Sequence, residues 1–396
     1  AIFWMWITAI FGMTTKFVEV TLAHKFRTTL SDGSISGGPM YYIEKGLNMK
    51  WVAILFSALM MICAIGSGNM PQINNIANVM ETEFSVPKLM TGLVLGGLLW
   101  IIIIGGITRI AAVASKIIPI MGVIYFGGAL IVLINNYENI IPSFNAIFSQ
   151  VFTGSAAVGG FLGASFAMSL KYGVARGLYS NEAGQGSSPI AHASSKTEKS
   201  IEQGMVSILE PFIDTIVVCS VTAMVILSSG VWTEKFENSF DRTSMTVISG
   251  VYSDANEDDV IELSKYVQNM PSDITNFNGV ISLESGLIVS NNATIVHKRS
   301  VGEDVIISRD GNLVTGDLEI TNGSFVERGL NIRGKSLIDS AELTAKAFSQ
   351  SSMNEYGGYL VAIALLLFAF STAIAWCYYG DRSTAYIFGE KGVFWY

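Results

Sequence analysis

Residues 178–195 read Leu178-Tyr179-Ser180-Asn181-Glu182-Ala183-Gly184-Gln185-Gly186-Ser187-Ser188-Pro189-Ile190-Ala191-His192-Ala193-Ser194-Ser195. The stretch is polar and glycine-rich and carries one acid, yet strongly apolar segments precede and follow it. Backbone that leaves its helix inside a membrane is tolerated only where protein covers it or a cavity meets it. In membrane carriers such breaks free the backbone carbonyls and helix ends that hold ions and solutes. The residues alone leave two readings open. One is an intramembrane break where the protein works; the other is a small-residue cytoplasmic loop between two spans.

The surrounding composition is that of a polytopic membrane protein. The chain is 50% hydrophobic and 14% charged, with a mean hydropathy of +0.46. Its 24 bases and 32 acids give a net charge of −8. The 113 residues from Glu234 to Lys346 hold 18 acids and 10 bases, and the remaining 283 hold 14 of each. The acidity therefore belongs to one polar block. No basic cluster is present to neutralise phosphates, which argues against a nucleic-acid partner. Cys63, Cys219 and Cys377 each sit in an apolar segment without CxxC spacing, and the histidines (His24, His192, His297) are far apart. Residue 1 is not Met, and the ends at Ala1 and Phe394-Trp395-Tyr396 are abrupt, as expected of a fragment of a longer protein.

Seven apolar segments are expected. They are Ala1 to Leu22, Trp51 to Met80, Leu89 to Gly106, Ile117 to Asn135, a small-residue-rich stretch from Asn139 to Leu170, Phe212 to Trp232, and Tyr356 to Gly380. A span needs about 20 apolar residues. In the first, Lys16 and Glu19 share a helical face and are expected to pair or to face other helices. Pro71 is expected to break the second within its amide-rich half, Asn69 to Asn78. The loop bases Lys25, Arg27, Lys45 and Lys50, then Arg109 and Lys116, then Lys171, Arg176, Lys196 and Lys199, alternate with base-poor loops around Glu81, Glu83 and Glu138. The basic loops should be cytoplasmic, which puts the polar block outside the cytoplasm.

The chain so divides into a membrane core over 1–235, an inserted polar block over 236–340, and a last span with a cytoplasmic tail over 341–396. Within the block, Ser239 to Met270 is acidic and helix-tolerant. From Asn278 to Ile338, alternating runs such as Val305-Ile306-Ile307 and Leu318-Glu319-Ile320 are separated by Asn278-Gly279, Asp310-Gly311 and Asn322-Gly323. That pattern predicts a small all-β module, a sandwich or short solenoid. It contains no catalytic or metal constellation and reads as a lid or a partner-binding surface.

The membrane part offers no paired carboxylates at hydrolase spacing, no Gly-x-Ser-x-Gly and no phosphate loop, so no enzyme is expected. Asp214 lies inside an apolar helix with Glu210 one turn before it, and intramembrane acids are costly enough to be functional suspects. The competing reading has both acids bonding neighbouring helices or facing the basic edge. Glu182 is placed to bind a cation or to cap the following half-helix. Gln72 and Asn75 share one helical face and can present amides to a buried ligand or bond across helices. Thr372 and Trp376 lie one turn apart, and the Ser371 and Thr372 oxygens suit a small hard cation, although packing explains them equally.

Gly37-Gly38-Pro39-Met40-Tyr41-Tyr42-Ile43-Glu44-Lys45-Gly46-Leu47, Ser180 to Ala191, Phe212 to Cys219 and Phe370 to Gly380 together resemble four blocks of the alanine or glycine:cation symporter family (sodium:alanine symporters). The resemblance covers most of 1–235 and 340–392. It implies an all-α polytopic membrane protein with a LeuT-like inverted-repeat fold, here partial, whose second to eighth spans are present. The small all-β insertion would be extracytoplasmic. It further implies sodium-coupled symport of small neutral amino acids by alternating access, without any cofactor beyond the sodium ion, in the plasma (inner) membrane. Tyr179 to Gly186 would be a discontinuous helix. Gln72, Tyr179, Ser180, Thr372 and Trp376 would contact substrate, and Ser371 and Thr372 the cation. Asn75, Asn181, Glu182, Gly184, Gly186 and Asp214 would gate or support the site, and Trp376 would keep the pocket small.

The sequence departs from the family pattern in two ways. The Gly-Thr-Gly-Asn helix break expected before Ala1 is absent from the chain, and the β block is foreign to the pattern. The partners expected are a small neutral amino acid, sodium, the lipid bilayer and an envelope or surface partner of the β insertion. Two alternatives remain: a proton-coupled carrier in which Glu182 or Asp214 titrates, and a membrane-anchored sensor whose β module binds the ligand.

Overall fold

The computed structural model describes residues 1–30, 33–153, 157–290, 292–393 and 395–396. The Glu83 side chain, the middle of the 139–170 stretch and Phe394 fall outside that description. Among the described residues, four helices are long and apolar enough to cross a membrane: Lys50–Glu81, Arg109–Asn135, Ser200–Ser229 and Glu355–Phe388, with Lys88–Ile104 a shorter apolar helix. Seven apolar segments were expected. The opening helix, Ile2–Lys25, is long enough, but Lys16 and Glu19 dilute its apolar character. The 139–170 stretch holds the helix Tyr137–Ser149, then irregular chain, then the start of the helix Phe166–Asn181.

Apolar side chains point outward along these helices. Leu93 is 70% exposed, Trp100 68% and Val123 76%. A water-facing surface of that kind is rare, whereas lipid accepts it without cost. The protein is an integral membrane protein.

Two prolines in the long helices are each accommodated by a widened turn. Proline lacks an N–H and its ring crowds the carbonyl four residues back. A π turn at Ala64–Asn69 joins Lys50–Cys63 to Met70–Phe84, which places Pro71 in the first turn of the second segment. The expected break at Pro71 is therefore a wide turn within one continuous rod. Pro211 is likewise followed by a π turn at Phe212–Val218. Single π turns inside α-helices are frequent at functional sites. Pro119 sits inside Gly106–Asn135.

The described residues gather into two compact units. The first comprises Ala1–Tyr137, Tyr172–Val225 and Thr344–Tyr396; the second comprises Glu138–Lys171 and Ile226–Leu343. The first unit is helical. Its core joins Met40, Ala53, Met60, Ala64 and Ile190 to Phe370, Ile374, Trp376 and Tyr379.

The second unit contains two antiparallel sheets and a helix. The larger sheet runs in the order Ser324–Phe325, Gly316–Thr321, Gly279–Glu284, Leu287–Ile288, Glu303–Arg309, Leu330–Ser336 and Phe236–Ser239, with Asn312–Leu313 added beside Glu303–Arg309. The smaller runs Met245–Ser249, Ala293–His297, Ser300–Val301. The two-residue period decides their packing. Val247 and Ile295 point into a core shared with Ile281, Leu283, Ile307 and Ile320 of the larger sheet. Ile248 and Val296 point the other way and meet Leu263 of the helix Glu257–Val267.

The module is thus a two-sheet sandwich carrying one helix, and Ser239 to Met270 supplies strand as well as helix. Leu162 joins the helix-side core, Gly160 N–H donates to Thr233 and Leu162 N–H to Arg299. Those contacts gather Glu138–Lys171 with the β-rich residues, a grouping the division at residue 235 did not contain. Asp310-Gly311 and Asn322-Gly323 form two-residue hairpins with both residues at positive φ. Asn278-Gly279 instead enters a strand, the Asn278 side chain accepting the Asn322 N–H.

Candidate functional site

The helix Phe166–Asn181 stops at Asn181 and a new helix starts at Ser188. Glu182 takes φ 55°, Gly184 82° and Gly186 75°, a left-handed run that ends the helix. Gly186 has a second reason to be glycine: a Cβ there would lie 2.8 Å from Pro39 and 3.0 Å from Phe56. The break thus begins at Glu182, so that Tyr179, Ser180 and Asn181 form the last turn of the first half-helix.

A helix that ends leaves its last four carbonyls unpaired, and in an apolar setting each must find a donor. Lys16 Nζ donates to the Asn181 carbonyl at 2.7 Å, and the Gln185 amide to the Leu178 carbonyl at 2.8 Å. Glu19 accepts the Gly184 N–H at 3.1 Å. Lys16 and Glu19 do share a helical face, and both turn it toward the break. Glu182 accepts the Ser187 hydroxyl at 2.7 Å and meets the buried Tyr379. Its position joins the two edges of the break through side chains.

Around this break lie the two acids of the Ser200–Ser229 helix. Glu210 binds Lys16 Nζ at 3.2 Å and His192 Nε2 at 3.0 Å. The Gln203 amide nitrogen lies 2.8 Å from His192 Nδ1, and its oxygen accepts from Thr197. That arrangement assigns the His192 proton to Nε2, where it faces Glu210. Asp214, within the π turn, accepts the hydroxyls of Ser180 and Thr215. The Asn181 side chain donates to the Thr215 oxygen at 3.4 Å and accepts the Ala183 N–H at 3.0 Å. Both acids bond neighbouring helices. The oxygens of Asp214, Ser180 and Thr215 form a hard-donor group beside the break.

Two expected substrate residues meet directly. The Gln72 amide donates to the Tyr179 hydroxyl at 3.3 Å. Four residues before Gln72, in the π turn, Gly68 lies so close to Trp376 that a Cβ there would overlap the indole. Trp376 is 8% exposed and stands edge-on to Tyr379. Gln72, Tyr179 and Trp376 are thereby linked through neighbouring turns of one helix. Asn75 is exposed and does not join them. The Ser371 and Thr372 hydroxyls donate back to Phe368, at 2.8 and 3.0 Å, which leaves both oxygens free to accept. Among the described residues no group of three His, Cys, Asp or Glu side chains could hold a metal ion.

The model of the sodium:alanine symporter family matches residues 1–256 and 321–396. The chain belongs to that family.

The symporter family is one of transporters, not enzymes. The chain is 32% identical, over 99% of its length and 65% of the relative's, to the sodium/alanine symporter AgcS of Methanococcus maripaludis. A Haemophilus influenzae protein named as an uncharacterized transporter is 30% identical over 99% of this chain and 64% of its own length. The Bacillus subtilis transporter YflA is 43% identical over 59% of this chain and 50% of its own length. The chain spans half to two-thirds of the length of these relatives.

Several residues that build the break were not singled out in the sequence as site residues. Lys16 lies 165 positions from Asn181, so no local spacing connects them. Arg27 is another. Its guanidinium donates to the carbonyls of Ala193 at 3.2 Å, Ser195 at 2.7 Å and Thr197 at 3.4 Å, capping the chain beyond the second half-helix. The Gly37-Gly38-Pro39 block abuts the same half-helix. Gly38 has φ 128°, and a Cβ on it would lie 2.7 Å from Ile190. A lone Lys before Glu at three residues was the signal in the first case. The glycine pair before Pro39 was the signal in the second.

Proposed function

We propose that this protein is a secondary active transporter, carrying alanine or glycine with sodium by alternating access on a LeuT-like inverted-repeat core. The observation that carries the reading is the interruption at Glu182–Ser187 between two half-helices, tied to Ile2–Lys25, Lys50–Glu81, Ser200–Ser229 and Glu355–Phe388. Family membership and the sodium and alanine in the name of AgcS support it. The zwitterion of a small amino acid needs donors for its carboxylate and acceptors for its ammonium. The last turn of the first half-helix, with Tyr179 and Ser180, together with Gln72, offers both.

Trp376, pressed against Gly68, limits the side-chain space and favours methyl or hydrogen. Sodium takes hard oxygen ligands, which the Ser371 and Thr372 hydroxyls and the Asp214–Ser180–Thr215 group provide. The alternation of basic and base-poor loops supports a topology in the plasma (inner) membrane with residues 236–340 extracytoplasmic, as a lid or a docking surface for an envelope partner. Uptake of labelled alanine by the full-length protein in proteoliposomes tests the substrate, with unlabelled glycine, serine and glutamine as competitors. Alanine and glycine should compete at the lowest concentrations; glutamine competing best would overturn the small-pocket reading.

A second reading, proton coupling, is favoured by one relative. A Bacillus subtilis protein 40% identical over 61% of this chain carries the name sodium/proton-dependent alanine carrier protein YrbD. In that reading Asp214 or Glu182 takes the proton. A pH gradient driving alanine uptake without sodium would select it.

A further inference from the structure

Lys16 has no exposed side-chain surface and lies within the opening helix, Ile2–Lys25. Its ammonium meets two partners on two different segments: the Asn181 carbonyl at 2.7 Å and Glu210 at 3.2 Å. Glu210 in turn holds His192 of the second half-helix. One cation thus connects the end of the first half-helix to the second by way of Glu210. The charge is of the sign a helix C-terminus requires, because the last carbonyls carry the negative end of the macrodipole. A buried ammonium is costly unless paired and hydrogen-bonded, and without it the half-buried Glu210 would be left with His192. The arrangement is stable only while the break keeps its present geometry.

Resting on the reading of the protein as an amino-acid carrier, we infer that Lys16 is a positioning residue whose ammonium locks the two half-helices together at the break. Its side-chain partners do not include Gln72, Tyr179 or Ser180, the groups proposed to hold substrate. It acts through Asn181, whose neighbours Tyr179 and Ser180 form the last turn facing the site. The closed state is held by the donation to the Asn181 carbonyl, and the ion pair with Glu210 fixes where the ammonium stands. Moving the second half-helix away from Asn181 requires the Lys16–Glu210–His192 chain to break at one link.

The test uses full-length protein with Cys63, Cys219 and Cys377 changed to alanine and Ser188→Cys as reporter, because Ser188 is only 3% exposed. Labelling of that thiol by N-ethylmaleimide reads the opening of the break, with monodisperse elution as the check on folding. Lys16→Met should raise the labelling rate about tenfold, because the population of the open break rises in proportion. Lys16→Arg should stay near the parent rate, since a guanidinium can reach both partners. The charge swap Lys16→Glu with Glu210→Lys restores an ion pair but gives residue 16 no donor for the Asn181 carbonyl, so labelling should remain high.

Parent-like labelling of Lys16→Met, or of the swap, would overturn the inference; the second result would show that the ion pair alone suffices. If Lys16→Met does not elute as folded protein, the charge swap, which keeps an ion pair and removes the donor, carries the test with the same expectation. Labelling does not depend on transport. Failure of the parent protein to carry alanine would therefore count against the proposed function and leave this result standing.

Discussion

The Gln72 side-chain amide lies 3.3 Å from the Tyr179 hydroxyl, which joins a π-turn helix to the last turn before a helix break 107 residues further along the chain. The amide end is placed by the widened turn at Ala64–Asn69, and the phenol by the stop at Asn181. Each end alone is an ordinary polar residue on an apolar helix. Together they form a polar pair one helical turn from the contact of Gly68 with Trp376.

That pair predicts coupled losses. Gln72→Ala and Tyr179→Phe should each raise the KM for alanine by about tenfold, equivalent to about 1.4 kcal/mol, with the membrane level unchanged. The double variant should lose less than the product of the two, because the interaction they share is worth about 0.5–1.5 kcal/mol. Uptake kinetics on the four proteins measure this. Strict multiplicativity would show that the two side chains act independently.

Trp376 and Gly68 should set substrate size in opposite directions. Trp376→Phe opens the pocket, and threonine or glutamine should then inhibit alanine uptake at roughly tenfold lower concentration, the discrimination expected of one or two methylene-sized groups. Gly68→Ala pushes into the indole, an overpacking that costs about 1–3 kcal/mol. Alanine uptake should fall more than glycine uptake. A competition panel against labelled glycine reads both variants.

Arg27 should tolerate no lysine. Its guanidinium reaches three carbonyls after the second half-helix, and a lysine brings a compact charge that cannot spread over all three. Arg27→Lys should cut the maximal uptake rate to roughly a tenth while leaving sodium dependence intact, an effect of about 1.4 kcal/mol. Thermal unfolding of the purified protein should drop by only a few degrees, consistent with loss of one or two charged hydrogen bonds.

The β-rich unit should lose stability in mild acid. His297 is buried, stacked 4.4 Å from Phe240, and bonded through Nδ1 to Ser336 at 2.7 Å and Nε2 to Ser244 at 3.0 Å. Burial, aided by the Lys298 ammonium and opposed by Asp241 and Asp339, lowers its pKa from 6.5 to about 4. As pH falls, the unfolded chain takes up the proton first. The contribution to stability is therefore complete above pH 6.5 and drains away toward pH 4. Hydrogen exchange in the strands Met245–Ser249 and Ala293–His297, corrected for intrinsic rates, should accelerate over that window. His297→Gln should remove most of the dependence.

Sequence periodicity and resemblance made some parts of this molecule legible and left others hidden. Apolar run length located the four long helices, because lipid demands it of every residue in a span. Asp310-Gly311 and Asn322-Gly323 were readable as hairpins because two-residue turns need positive φ twice. The hairpin at Lys298-Arg299 has the same conformation, with φ 45° and 63°, but neither residue type announces it. The break was read as Tyr179 to Gly186 and begins at Glu182, yet its supports were not visible: Lys16 and Glu19 come from the opening helix and Arg27 from just beyond its end, more than 150 residues away. Glu210 and Asp214 were suspected for the cost of an acid in an apolar helix, and the structure supplies the partners that offset that cost. Asn75 shares a helical face with Gln72, but only Gln72 reaches the other side of the site.

The central claim is that a sodium gradient drives small amino acids through the site at the break. Its most direct test is initial uptake of labelled alanine into proteoliposomes containing the full-length protein, with external sodium against equimolar choline at constant pH and membrane potential. Uptake should fall to the level of protein-free vesicles in choline and return, saturably, as sodium is restored. Equal uptake in choline would contradict the account.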